Sequence, residues 1–224
     1  MSKALGVLGL LSILLIAGCQ SPRSKLAQTE NYLSSPSNLQ FGKPVLFVIN
    51  DQRPVIERTS SQGGVGVPWR YTTDLADTNQ ASLSLGKSLS EIMQRKGMTH
   101  RASFGLPASP VPTNTIIIRV AIASWYGRLE NPLYLPVTGT LTTLLFPGEP
   151  IGAEGYCEFS SVLENDGQTV NLGTSKGSIK TSVPTASKPS IEKEGEYLSG
   201  VAVSHAMAEF FRSLEMKLPL VPSN

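Results

Sequence analysis

Histidine, cysteine and tryptophan are scarce in this chain, with two of each among its 224 residues. Neither His100 nor His205 stands at a ligand spacing from another histidine or a cysteine, so no metal site is expected. Charge of one sign is lacking as well. The 19 Lys and Arg residues face 17 Asp and Glu, a formal net charge of +2, which gives no basic surplus for a nucleic-acid partner. Gly63-Gly64-Val65-Gly66 lacks the Lys-Ser/Thr of a P-loop and the full G-x-G-x-x-G spacing, so no phosphate-bearing cofactor is expected. No G-x-S-x-G elbow is present, and the adjacent Ser204 and His205 would point in different directions on a helix. These shortages argue for a protein that is not an enzyme.

What is present begins at the N-terminus. Met1-Ser2-Lys3 leads into an uncharged apolar run from Ala4 to Ala17, the n-region and h-region of an export signal. The run falls short of the roughly 20 residues that a spanning helix needs. It ends in Ile16-Ala17-Gly18-Cys19, which resembles the bacterial lipobox. The resemblance implies removal of residues 1–18, triacylation of Cys19 and a firm tether, since two or more acyl chains make membrane attachment durable. Gln20 stands where enterobacterial lipoproteins retained at the inner membrane carry Asp, which implies the periplasmic face of the outer membrane. Lipidation of Cys19 leaves Cys157 alone, so no intrachain disulfide is expected and the thiol reads as a buried small hydrophobe. From Gln20 to Gln40 large apolar side chains are few, so residues 19–40 read as a flexible tether. Residues 41–218 then form a single domain, followed by a tail over 219–224.

Within that domain Lys43 to Asn50 is a short apolar run of β-favouring residues, a strand buried on both faces. Residues 59–79 read as a loop rich in Ser and Gly. Leu85, Leu89, Ile92 and Met93 recur at helical spacing, and Gly97 closes that helix as a C-cap. Thr115 to Trp125 is the strongest strand, with Ile116, Ile118, Val120 and Ile122 on one face and Ile117, Arg119, Ala121 and Ala123 on the other. A further strand is expected over Thr138 to Phe146. Residues 155–163 and 169–180 form a hairpin across Asp166-Gly167, both of which tolerate positive φ. The second helix spans Glu196 to Met216, with Glu192, Glu194 and Glu196 near its start and Val203, Met207, Phe210, Phe211 and Leu214 as its apolar stripe. The expected class is α/β (α+β): a mixed sheet of about four to five strands with two helices packed on one face, in the order β-α-β-(β)-β-β-α. The first two strands should run parallel across their helical connection.

The lipobox Cys19, an early strand ending in Asp51-Gln52-Arg53, a helix of the form Leu-x3-Leu-x2-Ile-Met, a long strand, a hairpin and a terminal amphipathic helix resemble the uncharacterised YajG-type bacterial lipoproteins. The resemblance implies a small α/β domain at the outer membrane and supplies no catalytic residues. Asp51 and Arg53 lie at the carboxyl end of the first strand, a place where α/β sheets take ligands and equally a place for a strand-end turn with a structural ion pair. Of Trp69, Tyr71, Trp125, Tyr126, Leu133, Tyr134 and Phe146, several sit beside Pro and Gly, as loop anchors for a partner or as staples over one end of the sheet. The expected function is that of an outer-membrane-anchored binding or assembly module of the cell envelope, meeting an envelope protein or lipid. The alternative is an accessory lipoprotein of an envelope lipid or glycan transport system, which predicts an apolar groove between helices and sheet.

Overall fold

A computed structural model describes residues 22–58, 69–71, 78–108, 112–130, 151–183 and 188–218. The elements are α1 (Pro22–Ser34), β1 (Val45–Asp51), α2 (Val55–Arg58), β2 (Trp69–Tyr71), α3 (Thr78–Arg95), β3 (Ala102–Gly105), β4 (Ile116–Glu130), β5 (Ile151–Asn165), β6 (Gln168–Val183) and α4 (Lys188–Lys217). They make a mixed α+β fold on a sheet ordered β3-β1-β4-β5-β6, with β2 pairing β4 off that path. Among the described residues no helix is long and apolar enough to cross a membrane.

The apolar run of β1 takes the sheet interior, where Val45 to Ile49 are all buried and parallel neighbours lie on both sides. Val45 to Asp51 pair with Ile116 to Ile122 of β4, as the strand-helix-strand order requires. Helices α3 and α4 cover one face of the sheet. Leu85, Leu89 and Met93 of α3 meet Phe47, Ile118, Phe159, Phe210 and Phe211 in one buried cluster. Gly97 closes α3 with φ 71°, and Asp166 and Gly167 turn the β5–β6 hairpin at φ 49° and 78°. The last helix begins at Lys188 rather than near Glu196, because Pro189 in its first turn removes only an N–H that has no helical partner there. Glu192, Glu194 and Glu196 therefore lie inside the helix.

Three expectations change. The sequence of residues 59–79 predicts a loop, yet Trp69–Tyr71 pair antiparallel with Arg128–Glu130 and form β2. The short β3 on the far side of β1 was not foreseen, since Ala-Ser-Phe-Gly has no alternation long enough to read. The tether expectation over 19–40 fails from Pro22 onward. Helix α1 buries Thr29 and Leu33 against α3 and α4, and the chain after it is tied down by Ser37 N–H to Lys96 O at 2.8 Å and Phe41 N–H to Met98 O at 2.7 Å. The expected strand at 138–146 lies outside the described residues, as do Cys19 and Tyr134.

Lys96 holds α1 in place. Its side chain is 1% exposed, and Nζ donates to the carbonyls of Tyr32 and Ser35 at 3.1 Å each, at the C-terminal end of α1. Nζ lies 3.4 Å from Glu215 Oε1 and 4.1 Å from the centre of the Tyr32 ring. Tyr32 Oη in turn donates to Glu215 at 2.8 Å. Lys96→Met keeps the stem but removes every donor, so about 2–3 kcal/mol of stability should be lost. Amide exchange of residues 25–34 should rise ahead of that of β4, and equal rates in variant and wild type would show that α1 docks without this cap.

Candidate functional site

Among the described residues, buried charges gather where β1 ends, at Asp51, Arg53 and Glu57. On its β1 side β4 is paired up to Ile122, whose carbonyl accepts Gln52 N–H at 2.9 Å, and pairing resumes only at Arg128 with β2. Trp125 stands in that gap, where no strand among the described residues pairs with its backbone N–H and C=O on that side. Two side chains take the strand's place. Arg53 Nη1 donates to Trp125 O at 3.2 Å, and Glu57 Oε2 accepts Trp125 N–H at 3.1 Å.

The chain between β1 and α2 sets up both groups. Asp51 Oδ1 accepts the backbone N–H of Arg53 at 3.0 Å, a local turn that brings the guanidinium back over the carboxylate. Arg53 Nε donates to Asp51 Oδ1 at 2.9 Å and Nη2 to Oδ2 at 2.8 Å, a two-pronged ion pair with 0% and 2% side-chain exposure. Ser124 Oγ lies 2.9 and 2.8 Å from the two Glu57 oxygens. Burial pushes the Glu57 carboxyl above its ordinary range, against the opposing pull of Ser124, the Trp125 N–H, Arg53 and Arg128. Behind Trp125, on the helix face, lies Cys157, paired with it across the strands. Burial pushes that thiol far up, which keeps it protonated and unreactive.

This arrangement can replace strand hydrogen bonds inside a low-dielectric gap. The Arg53 fork is committed to Asp51 and Trp125, and both Glu57 oxygens are committed to β4. Of the two readings of Asp51 and Arg53, the geometry is that of the strand-end turn and structural ion pair. Because the folded-state carboxyl of Glu57 titrates above its unfolded value, folding takes up a proton in that window, and its contribution to stability declines as pH rises through it. The stability of the wild type relative to Glu57→Gln should therefore fall as pH climbs from the ordinary glutamate range. Urea titrations at stepped pH measure this, and a pH-independent difference would contradict it.

Trp125 is not a loop anchor. The register of β4 on β5 slips between Ile122 and Ser124, so Ala123 is an extra residue. Strict alternation would turn Trp125 away from Ile116, Ile118, Val120 and Ile122. The bulge instead rotates it onto their face, where it is 4% exposed and its indole N–H reaches Ser199 O of α4 at 3.4 Å. Tyr126 is likewise within β4, on the sheet face without α3 and α4. There its ring stacks on Tyr156 at 5.6 Å between centres and 24° between planes. The Arg128 guanidinium lies 5.0 Å from the Tyr126 ring centre and bonds Glu154. Lys180 approaches Glu154 at 3.5 Å and Lys176 approaches Glu158 at 3.1 Å. Tyr156 donates to Glu158, which raises the phenol's pKa and lowers the carboxyl's. Trp69 and Tyr71 enter the same sheet through β2, placing their backbone beside Glu130 and Arg128. Sequence reasoning missed Glu57, Arg128, Tyr156 and the ion pairs around them. The period-2 pattern of β5, which sets Tyr156 and Glu158 on one face, was the signal that pointed to the last two.

No family model matches the chain, and no curated protein matches it. Its fold outline is similar to several solved structures. A Xanthomonas campestris protein of the family DUF330 shares 7% identity at a TM-score of 0.44, covering 84% of this chain and 94% of that one. An uncharacterized protein shares 14% at 0.29, covering 84% and 98%. A neuraminyllactose-binding hemagglutinin homolog from Helicobacter pylori shares 12% at 0.28, covering 83% and 88%.

Proposed function

We propose that this chain is a lipoprotein of the outer membrane, held through acyl chains on Cys19, whose α+β body is a non-enzymatic binding or assembly module of the cell envelope. The observation that carries the reading is the segment Ile16-Ala17-Gly18-Cys19 at the end of an export signal, directly ahead of a folded body. The likeness to YajG-type lipoproteins agrees with it. The ionisable groups at the end of β1 support binding over chemistry, since Arg53 and Glu57 bond the Trp125 backbone of β4 and Asp51 holds Arg53. The binding surface follows the sheet face opposite α3 and α4, where Tyr156, half-buried and stacked on the buried Tyr126, is bordered by Arg128, Glu154, Lys176 and Lys180. Flat aromatic area edged by paired charges suits a protein partner.

The transport-accessory alternative expected an apolar groove between helices and sheet. Under α4 that space is closed: a Cβ added at Gly127, Gly155 or Gly177 would fall 1.9–2.0 Å from a helix carbonyl oxygen. An acyl chain has no room there.

Replacing Cys19 by Ser should abolish incorporation of labelled palmitate, release the protein from the outer-membrane fraction and remove the envelope component that the wild type captures by in-cell crosslinking. A wild-type chain that incorporates no fatty acid would overturn the anchor. Unchanged crosslinks in the Ser variant would show that localisation does not drive binding.

A further inference from the structure

We infer that the surface beside the N-terminal half of α1 rests on anionic phospholipid headgroups, so that the body is seated on the bilayer and not held away from it. The inference rests on the Cys19 anchor proposed above. Pro22, the first residue of α1, follows Cys19 by three residues, a reach of at most about 10 Å even when extended. Helix α1 is not a free arm. Leu33 is 5% exposed, Tyr32 bonds Glu215, and the buried Lys96 caps the last carbonyls. Wherever the acyl chains enter the bilayer, the docked first turns of α1 must therefore lie near the headgroups, together with whatever packs beside them.

What packs beside them is a basic hollow. Lys25, Gln28 and Thr29 of α1 and His205, Glu209 and Arg212 of α4 line a cavity of about 490 Å³. Lys25 and Arg212 are exposed. The Arg212 guanidinium stacks 4.5 Å from the Tyr32 ring centre, a contact that leaves its N–H edge available to an oxygen ligand. Glu209 is the acidic member, and its Oε2 accepts the Lys176 backbone N–H at 2.6 Å, so it is turned to the β6 edge. The imidazole of His205 has a buried Nε2 with no hydrogen-bond partner among the described residues. Cations in a concave, solvent-open setting near a membrane match the phosphates of an anionic leaflet, whose attraction acts within about a Debye length of the surface.

The test uses the mature, acylated protein reconstituted into vesicles of phosphatidylglycerol with phosphatidylcholine, or of phosphatidylcholine alone, and pulsed with an acetylating reagent. Lys25 should react at least about fivefold more slowly in the anionic vesicles. Lys180, on the opposite face of the sheet, should react equally in both. Equal rates at Lys25 overturn the inference. Equal protection in phosphatidylcholine vesicles supplied with inorganic phosphate also overturns it, assigning the hollow to a free anion. Palmitate labelling reads the anchor separately. An acylated chain with unprotected Lys25 removes this inference alone, whereas a chain without fatty acid removes both.

Discussion

Gly155→Ala is expected to cost on the order of 3–5 kcal/mol. The new Cβ would sit 2.0 Å from Leu198 O and 2.3 Å from its carbonyl carbon, both backbone atoms of α4 that no rotamer change can move. Gly127 and Gly177 meet Gly195 O and Ala202 O in the same way at 1.9 Å. Residues 195, 198 and 202 are three and four apart, one ridge of α4, and the three glycines come from three adjacent strands. Helix and sheet therefore touch backbone to backbone along a line crossing β4, β5 and β6, and one methyl must lift the whole ridge. Against the 5–15 kcal/mol typical of folded domains, a loss of that size leaves little. Urea unfolding followed by fluorescence measures it, since Trp125 packs beside Ser199 at the same contact. Gly200→Ala is the control. It lies on the same helix, its Cβ would meet nothing within 4 Å, and helix propensity predicts a gain of about 0.5–1 kcal/mol. A Gly155→Ala protein within about 1 kcal/mol of wild type would show that the ridge is not in close contact.

Arg53→Met is expected to lose about 3–5 kcal/mol, because it strips the partner from a buried carboxylate and from a strand carbonyl together. Asp51 would be left at 2% side-chain exposure with its guanidinium gone, and Trp125 O would lose the donor that stands in for a strand partner. The methionine stem fills much of the volume, so packing contributes little to the loss. If unpaired charge is the cause, adding Asp51→Asn to Arg53→Met should restore about 1–2 kcal/mol, since a neutral amide costs less to bury than an unpaired carboxylate. Denaturant midpoints of the two singles and the double close that cycle. A double variant no more stable than Arg53→Met would assign the loss to Trp125 instead.

Both residues show where reading the chain stops. Arg53 was visible two positions after Asp51, and a structural ion pair was one of its two readings. Glu57 was not visible, because a carboxylate in Val-Ile-Glu-Arg carries no periodicity and acquires its partners from Ser124 and Trp125, far along the chain. The glycines left a weak mark. Interior glycine in a strand signals close backbone approach, and β4 carries one while β5 and β6 carry two each, but only the alignment of Gly127, Gly155 and Gly177 reveals a track. Helix α1 escaped because its buried side consists of Leu33, Thr29 and half of Tyr32, too little apolar surface to stand out from a polar segment.

Local order alone determined the buried run of β1, the Asp-Gly hairpin, the Gly97 cap and the stripes of α3 and α4, and local order is also what the proposed anchor at Cys19 rests on. Each depends on neighbours within a few residues, where apolar periodicity and backbone sterics act directly. Tertiary structure decided the rest: the bulge that turns Trp125 inward, the gap in β4 filled by Arg53 and Glu57, the glycine track beneath α4 and the docking of α1 by Lys96. These depend on which distant groups meet once the sheet forms. A buried charge or a missing side chain has its energetic meaning only when the atom opposite it is known.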